Sequence, residues 1–402
     1  MALALRDFER ASRRLEGIIH KTELDFSSTF SEMAGGEVYL KCENRQKTGS
    51  FKIRGAANKI AALLEEGKTA GVVASSAGNH AQGVAYAAHR YGIGATIVMP
   101  KAAPIAKTQA TEGYGAKVVL YGDCYDDAYE KALEICEAEQ ATFLHPFDDY
   151  EVIAGQGTVG LEILRELPTV DTVVVPVGGG GLLSGVAACI KQVNPRVRVI
   201  GVQAEGADAV YQSFHAGKRV AVDRVSTIAD GIAVKTPGEK TIETICKYAD
   251  GIVTVSDMEI SAAILLLMER TKQIVEPSGA TSLSAVLSGK IDAGDKRTVC
   301  LLSGGNIDVS FIHRIIEQGL VSRHRRLKFY TRLPDSPGSL GRMLQVIADA
   351  GANIMTIQHD RLCPYLSPSE ILVHVACEVG GKPHGEALIE ALEKSGYSVT
   401  LE

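Results

Sequence analysis

No window of about 18 uninterrupted apolar residues occurs in the 402-residue chain, so no segment is expected to cross a membrane as a helix. The apolar start M-A-L-A-L is too short for a signal core and runs into Asp7, Glu9 and Arg10. Basic runs are almost missing. Only R-H-R-R, Arg323 to Arg326, stands out, and it is expected to be a solvated linker. With a net charge of −6 the chain offers no nucleic-acid surface. The eight cysteines form no C-x-x-C pair and show no Cys/His ligand spacing. Reduced, mostly buried thiols in a cytoplasmic protein without a metal centre are the expectation.

What is present is a large apolar supply, 46% hydrophobic residues with 22% charged, in a chain long enough for two or three domains. From about Val38 to Val321, short β-rich runs alternate with helical patterns. G-V-V-A-S (71–75), A-T-I-V-M-P (95–100), K-V-V-L-Y (117–121), T-V-V-V-P-V (172–177), V-R-V-I-G-V (197–202) and T-V-C-L-L (298–302) read as buried strands. Their solid apolar character implies an α/β fold with parallel sheets covered on both faces. Ligands in such sheets bind beyond the C-terminal strand ends. After Arg326 the order becomes β-α-β-β-α-β in about 75 residues, the ferredoxin-like order, with a boundary near Val321 to Arg326.

Three strand-end loops carry chemistry. V-P-V-G-G-G-G-L-L-S-G, Val175 to Gly185, runs from a strand through four glycines into a helix, where backbone N–H groups can converge on a phosphate. It lacks the Gly-Lys-Ser/Thr of a Walker A loop, and Leu183 and Ser184 stand where a dinucleotide loop needs a third glycine. Glu205 at the next strand end leaves a nicotinamide-dependent dehydrogenase as an alternative. A-S-S-A-G-N-H, Ala74 to His80, places small hydroxyl residues and a glycine at a helix start, which suits a carboxylate; His80 alone reads as a surface histidine. L-L-S-G-G-N, Leu301 to Asn306, offers the Ser303 hydroxyl at a third strand end.

The fourth part is a charge at the wrong end of a helix. T-G-S-F-K-I-R-G, Thr48 to Gly55, opens a helix expected to run to Gly67 with Ser50 as its cap, and Lys52 and Arg54 in its first turn each cost a few tenths of a kcal/mol. A lysine near a helix N-terminus in a dry pocket has a lowered pKa and is a better amine nucleophile. Schiff-base chemistry with a phosphate-bearing aldehyde would use all four parts. Arg54 has no place in that chemistry and is expected to point outward or brace the loop.

K-C-E-N-R-Q-K-T-G-S-F-K-I-R-G-A, A-S-S-A-G-N-H-A-Q-G, V-G-G-G-G-L and L-L-S-G-G-N, in this order, resemble the fold type II pyridoxal-phosphate enzymes, within them the threonine dehydratase and serine racemase branch. The tail segments L-P-D-S-P-G-S-L and A-G-A-N-I resemble an ACT regulatory module. The resemblance implies a catalytic domain over 1–322, made of two parallel α/β subdomains of which the smaller spans about 42–146, and an ACT-like domain over 326–402. It implies pyridoxal 5'-phosphate joined to Lys52, with Phe51 beside the ring and Asn79 bonded to its 3-oxygen. Gly178, Gly179, Gly180, Gly181 and Leu182 would hold the phosphate, Ser303 would face the ring nitrogen, and Gly231 and Glu276 would approach from the larger subdomain. Ser75, Ser76, Gly78 and His80 would line the substrate carboxylate.

The implied activity is conversion of L-threonine to 2-oxobutanoate and ammonia by loss of the β-hydroxyl, with L-serine as a second substrate. A hydroxyaspartate dehydratase or serine racemase of the same fold, or a catalytically inactive amino-acid sensor, are the alternatives. In the racemases a serine precedes the Gly-Asn of the second loop, and here Ala77 stands there. Glu205 and Ala209 match a divalent-metal site of relatives, but Tyr211 replaces its second carboxylate, so no metal is expected. In the tail, Asp335, Gly338, Ser339, Leu340 and Asn353 would form a site for a branched-chain amino-acid effector. A homo-oligomer, dimer or tetramer, follows from the resemblance alone.

Overall fold

The computed structural model describes residues 3–68, 70–362 and 366–402. The chain divides into two compact units, residues 1–308 and 309–402. In the first unit the strands are β1 (Leu24–Phe26), β2 (Glu37–Lys41), β3 (Val72–Ser75), β4 (Ala95–Met99), β5 (Lys117–Leu120), β6 (Thr142–Phe143), β7 (Thr172–Pro176), β8 (Arg198–Ala204), β9 (Gly251–Val255) and β10 (Arg297–Leu301). They form a six-stranded sheet, β1-β2-β10-β7-β8-β9, and a four-stranded sheet, β5-β4-β3-β6. Every neighbouring pair is parallel except β1 with β2.

The unbroken apolar runs explain the layering. β3, β4 and β7 are buried at every residue, which requires cover on both faces. Helices supply it: Val173, Val175 and Val199 pack with Leu183, Val186 and Ile190 of helix Gly181–Val193, while Val72, Ala74 and Ile97 pack with Ile60 of helix Lys52–Glu65 and Val84 of helix Asn79–Tyr91. K-V-V-L-Y departs from the expectation of a buried strand. It is β5 at the edge of the smaller sheet, its valines are half-buried and Leu120 is exposed, because an edge strand has a neighbour on one side only.

The second unit starts with helix Val309–Ser322, followed by β11 (Arg326–Pro334), helix Ser339–Asp349, β12 (Asn353–Asp360), β13 (Glu370–Glu378), helix Lys382–Lys394 and β14 (Thr400–Leu401). The sheet order is β12-β13-β11-β14, all antiparallel, which is the ferredoxin-like arrangement. Alternate residues Phe329, Leu333, Val373 and Val375 meet Met343, Ile347, Leu388 and Leu392 of the two helices. R-H-R-R is not a solvated linker. Arg326 opens β11 with its side chain buried against Glu317, and Arg325 lies 3.6 Å from Glu378, so the run is absorbed at a helix-to-strand junction. Seven cysteines are free thiols, with Cys42, Cys189, Cys300 and Cys377 buried; Cys363 lies outside the described residues. Among the described residues no helix is long and apolar enough to cross a membrane.

Candidate active site

The helix carrying Lys52 starts without a capping side chain. Ser50 is not its cap: the N-cap is Phe51, and the Ser50 hydroxyl is buried with no partner. The chain uses Ser50 differently, in an antiparallel bridge to Gly304, while Phe51 N–H donates to Ser303 O at 3.1 Å and Gly305 N–H to Gly49 O at 2.8 Å. Gly49 sits at φ +73°, and a Cβ there would come within 2.3 Å of Asn306 Oδ1, so only glycine lets the two loops meet. Backbone pairing thus places Lys52 beside Ser303, although 251 positions separate them along the chain.

Lys52 Nζ donates to Pro146 O at 3.0 Å and lies 5.3 Å from the centre of the Phe51 ring. Solvent reaches part of this side chain, yet dense protein around the amine pushes its pKa down to about 8, against a smaller upward pull from Glu276. About a tenth of the amine is therefore neutral at pH 7, far more than for an ordinary lysine. Opposite it, Glu276 is 5% exposed and receives both of its contacts from Asn79 Nδ2, at 2.8 and 3.1 Å. Burial lifts its carboxyl to about 7, with the Asn79 hydrogen bond opposing the rise. Asn306 Nδ2 completes the chain by donating to Asn79 Oδ1 and to Thr48 O, each at 2.7 Å.

The glycine loop has the character of an anion cradle. Gly179 to Leu182 are buried, and the N–H groups of Gly178 to Leu182 meet no acceptor among the described residues. Buried donors without partners are costly, so five in succession at the start of a 13-residue helix fit a phosphate. The glycines also admit Phe147, whose ring a Cβ on Gly179 would approach to 2.5 Å. Thr241 Oγ1 holds the loop by donating to Gly179 O at 2.7 Å. Ser303 is 2% exposed, and its hydroxyl makes no hydrogen bond among the described residues. Amine, cradle and free hydroxyl together fit a phosphate-bearing aldehyde.

At the second loop, Ser75 Oγ is buried and unpartnered, Ser76 Oγ accepts from Gly78 N–H at 3.2 Å, and the N–H groups of Asn79, His80 and Ala81 lack acceptors among the described residues. His80 is not a surface histidine. It is 3% exposed, its Nε2 donates to Leu144 O at 2.9 Å, and burial drives its pKa to about 3. The neutral ring ties the helix start to the end of β6, leaving the backbone N–H as what this residue offers an anion. Gly231 borders the pocket at Glu276: a Cβ there would lie 3.6 Å from Glu276 Oε1. Glu205 is turned to Lys290, at 3.2 Å. No cluster of three or more metal-ligating side chains occurs among the described residues.

Two groups of residues had no signal in the sequence. The segment His145 to Asp148 follows the two-residue strand β6 and carries the Pro146 carbonyl and the Phe147 ring; His145 Nδ1 shapes it by accepting from Asp148 N–H at 2.8 Å and Phe147 N–H at 3.3 Å. Its role comes from main-chain atoms and shape, which residue types do not reveal. Arg54, expected to point outward or brace the loop, is wholly buried. In the second unit, Asp335 is paired with Arg361 at 3.0 Å, Ser339 is buried against Ser336 and Arg342, Gly338 turns at φ +86°, Leu340 packs on the core, and Asn353 opens β12 exposed.

The chain is 49% identical to an L-threonine ammonia-lyase of Thermotoga maritima over 399 residues, 99% of each protein. It is 48% identical to the catabolic L-threonine dehydratase TdcB of Escherichia coli over 317 residues, 78% of this chain and 96% of that protein. Among solved structures, maize serine racemase superposes with a TM-score of 0.75 at 36% identity, covering 81% of this chain and all of that one. A processed threonine deaminase isoform of Solanum lycopersicum gives 0.74 at 39% identity over 79% and 89% of the two chains. The model of the pyridoxal-phosphate dependent enzymes matches residues 15–304, the stretch holding the amine, the cradle and the first glycine after Ser303, and the chain belongs to that family.

Proposed function

We propose that the chain is a threonine ammonia-lyase, converting L-threonine to 2-oxobutanoate and ammonia and accepting L-serine as a second substrate. The observation that carries it is the meeting of the Lys52 amine, the partner-free N–H groups of Gly178 to Leu182 and the Ser303 hydroxyl in one pocket. The near full-length relative named for this activity supports the choice of substrate.

Pyridoxal phosphate supplies a conjugated ring that takes up the electron pair left on the substrate α-carbon. The protein does the rest. Gly178 to Leu182 would hold its phosphate by main-chain donors, and Phe51 and Asn79 would hold the ring. Ser303 would offer the ring nitrogen a neutral hydroxyl rather than a carboxylate, a partner that suits loss of a β-substituent. Ser75, Ser76 and the N–H groups after Gly78 receive the substrate carboxylate. The Lys52 amine, in its neutral form, would take the substrate α-proton. Its Nζ is held against Pro146 O, and the neighbouring Phe147 ring packs on the glycine loop. Loss of the β-hydroxyl as water, followed by hydrolysis of the product imine, accounts for the 2-oxo acid and ammonia.

For residues 326–402 we infer an ACT-like regulatory domain that takes a branched-chain amino acid near Asp335, Gly338, Ser339, Leu340 and Asn353. The ferredoxin-like order and the left-handed Gly338 at a helix start support it. The enzyme acts as a cytoplasmic homo-oligomer in this reading. An assay of 2-oxo acid across threonine, serine and 3-hydroxyaspartate tests the catalytic part: no 2-oxobutanoate from threonine refutes it. Calorimetry with isoleucine and valine tests the regulatory part, and absence of both heat and any change in substrate affinity refutes that.

A further inference from the structure

Arg54 stands two residues after Lys52, about 200° around the same helix, so the two side chains project to nearly opposite faces. Among the described residues it is the largest side chain with no exposure. All five of its N–H donors are used. Nε and NH2 bond to the two oxygens of Glu43 at 2.7 Å each, NH1 and NH2 to those of Glu162 at 2.6 and 2.9 Å, and NH1 also to Thr158 Oγ1 at 3.1 Å. Lys41, also without exposure, closes the network on Glu162 Oε2 at 2.9 Å.

A buried double fork of this kind returns little net stability, because desolvating four charges offsets their attraction; an apolar side chain of equal volume does as well. What the fork supplies is direction. Two bidentate pairs define the plane and position of the guanidinium and therefore the rotation of the helix about its axis. The first turn needs that, since it has no capping side chain. The other grips on it are also tertiary. Gly55 N–H donates to Gln156 Oε1 at 3.2 Å, and a Cβ on Gly155 would lie 2.5 Å from Arg54 O. A 10° turn of a helix whose side chains reach about 5–6 Å from the axis moves a tip by about 1 Å. Displacement of that size at a reacting group costs about a hundredfold in rate.

We propose that Arg54 is a positioning residue: by clamping Glu43 and Glu162 it sets the rotation of helix Lys52–Glu65 that aims the Lys52 amine at the pocket. The proposal rests on the reading that Lys52 carries the cofactor.

The test uses full-length holoenzyme with Arg54→Lys, which keeps the charge but not the fork, and Arg54→Met, which keeps the volume. Both are expected to load pyridoxal phosphate, to show altered visible circular dichroism at rest, and to lose about a hundredfold in kcat with KM within about threefold. A lowered melting temperature with wild-type visible dichroism and kcat would overturn the proposal, since a merely structural arginine gives that result. If neither variant folds, Thr158→Val and Glu162→Gln each remove part of the clamp. Graded losses of kcat that track the visible dichroism support the proposal, and wild-type values in both overturn it. Lys52→Ala separates the two readings. Retained visible absorbance there removes the assignment of Lys52 and this proposal with it, whereas lost absorbance beside unchanged Arg54 variants removes this proposal alone.

Discussion

Glu276→Gln is expected to stabilise the cofactor-free protein above neutral pH and to destabilise it slightly in acid. Burial holds the Glu276 carboxyl at about 7, against an ordinary value of 4.5. Between those two values the folded chain binds more protons at this site than the unfolded chain, so stability falls as pH rises through the window. The shift of about 2.5 units corresponds to about 3 kcal/mol at 1.36 kcal/mol per unit, an upper limit. Glutamine carries no charge to desolvate. It keeps one acceptor for Asn79 Nδ2 but sets its own amide donors against that group, which returns about 1 kcal/mol of the gain. A net advantage of about 2 kcal/mol is expected above pH 7, turning into a deficit of about 1 kcal/mol below pH 4.5. Urea unfolding of both cofactor-free proteins at steps from pH 4 to pH 8.5 measures it. A difference that does not change with pH, or that grows toward acid, would refute the burial argument.

Because the Lys52 amine of the cofactor-free protein titrates at about 8, the rate of reloading with pyridoxal phosphate should rise about tenfold per pH unit up to that value and then level off. A flat profile in stopped-flow absorbance would show that the amine is not the limiting nucleophile. Lys52→Ala should lose the visible absorbance of the holoenzyme and more than about a thousandfold of threonine turnover; a smaller loss would point to another base. Gly179→Ala should weaken cofactor retention in dialysis at least about tenfold and cost about 1–3 kcal/mol of stability, because the methyl meets the Phe147 ring at 2.5 Å. Wild-type retention would mean that the cradle adapts.

Much of this protein was determined by local sequence. Short runs rich in valine and isoleucine specified β3, β4, β7, β8 and β10, since a strand covered on both faces is mostly apolar, Ser75, Thr96, Thr172, Gln203 and Thr298 apart, and a helix needs a longer period. The change of pattern after Arg326 specified the ferredoxin-like order for the same reason. The glycine loop, the Ala74 to His80 loop and Ser303 stood out because residue types with special backbone freedom or small hydroxyls are rare at strand ends. β5 was misjudged as buried because composition does not say which strand takes the edge.

Tertiary structure alone decided the rest. Whether Ser50 caps its helix or bridges Gly304 depends on a loop about 250 residues away, and the two uses call for the same residue. An isolated histidine or arginine is cheapest in water, so His80 reads as a surface residue and Arg54 as pointing outward or bracing the loop. Their burial is allowed only by Leu144 O, Glu43, Thr158 and Glu162, which lie 64, 11, 104 and 108 positions away. Pro146 contributes a carbonyl that any residue could supply, so nothing in its identity marked it. Periodicity reports which side of an element is dry. It carries no information about which distant partner makes burying a charge affordable, as Glu43 and Glu162 do for Arg54.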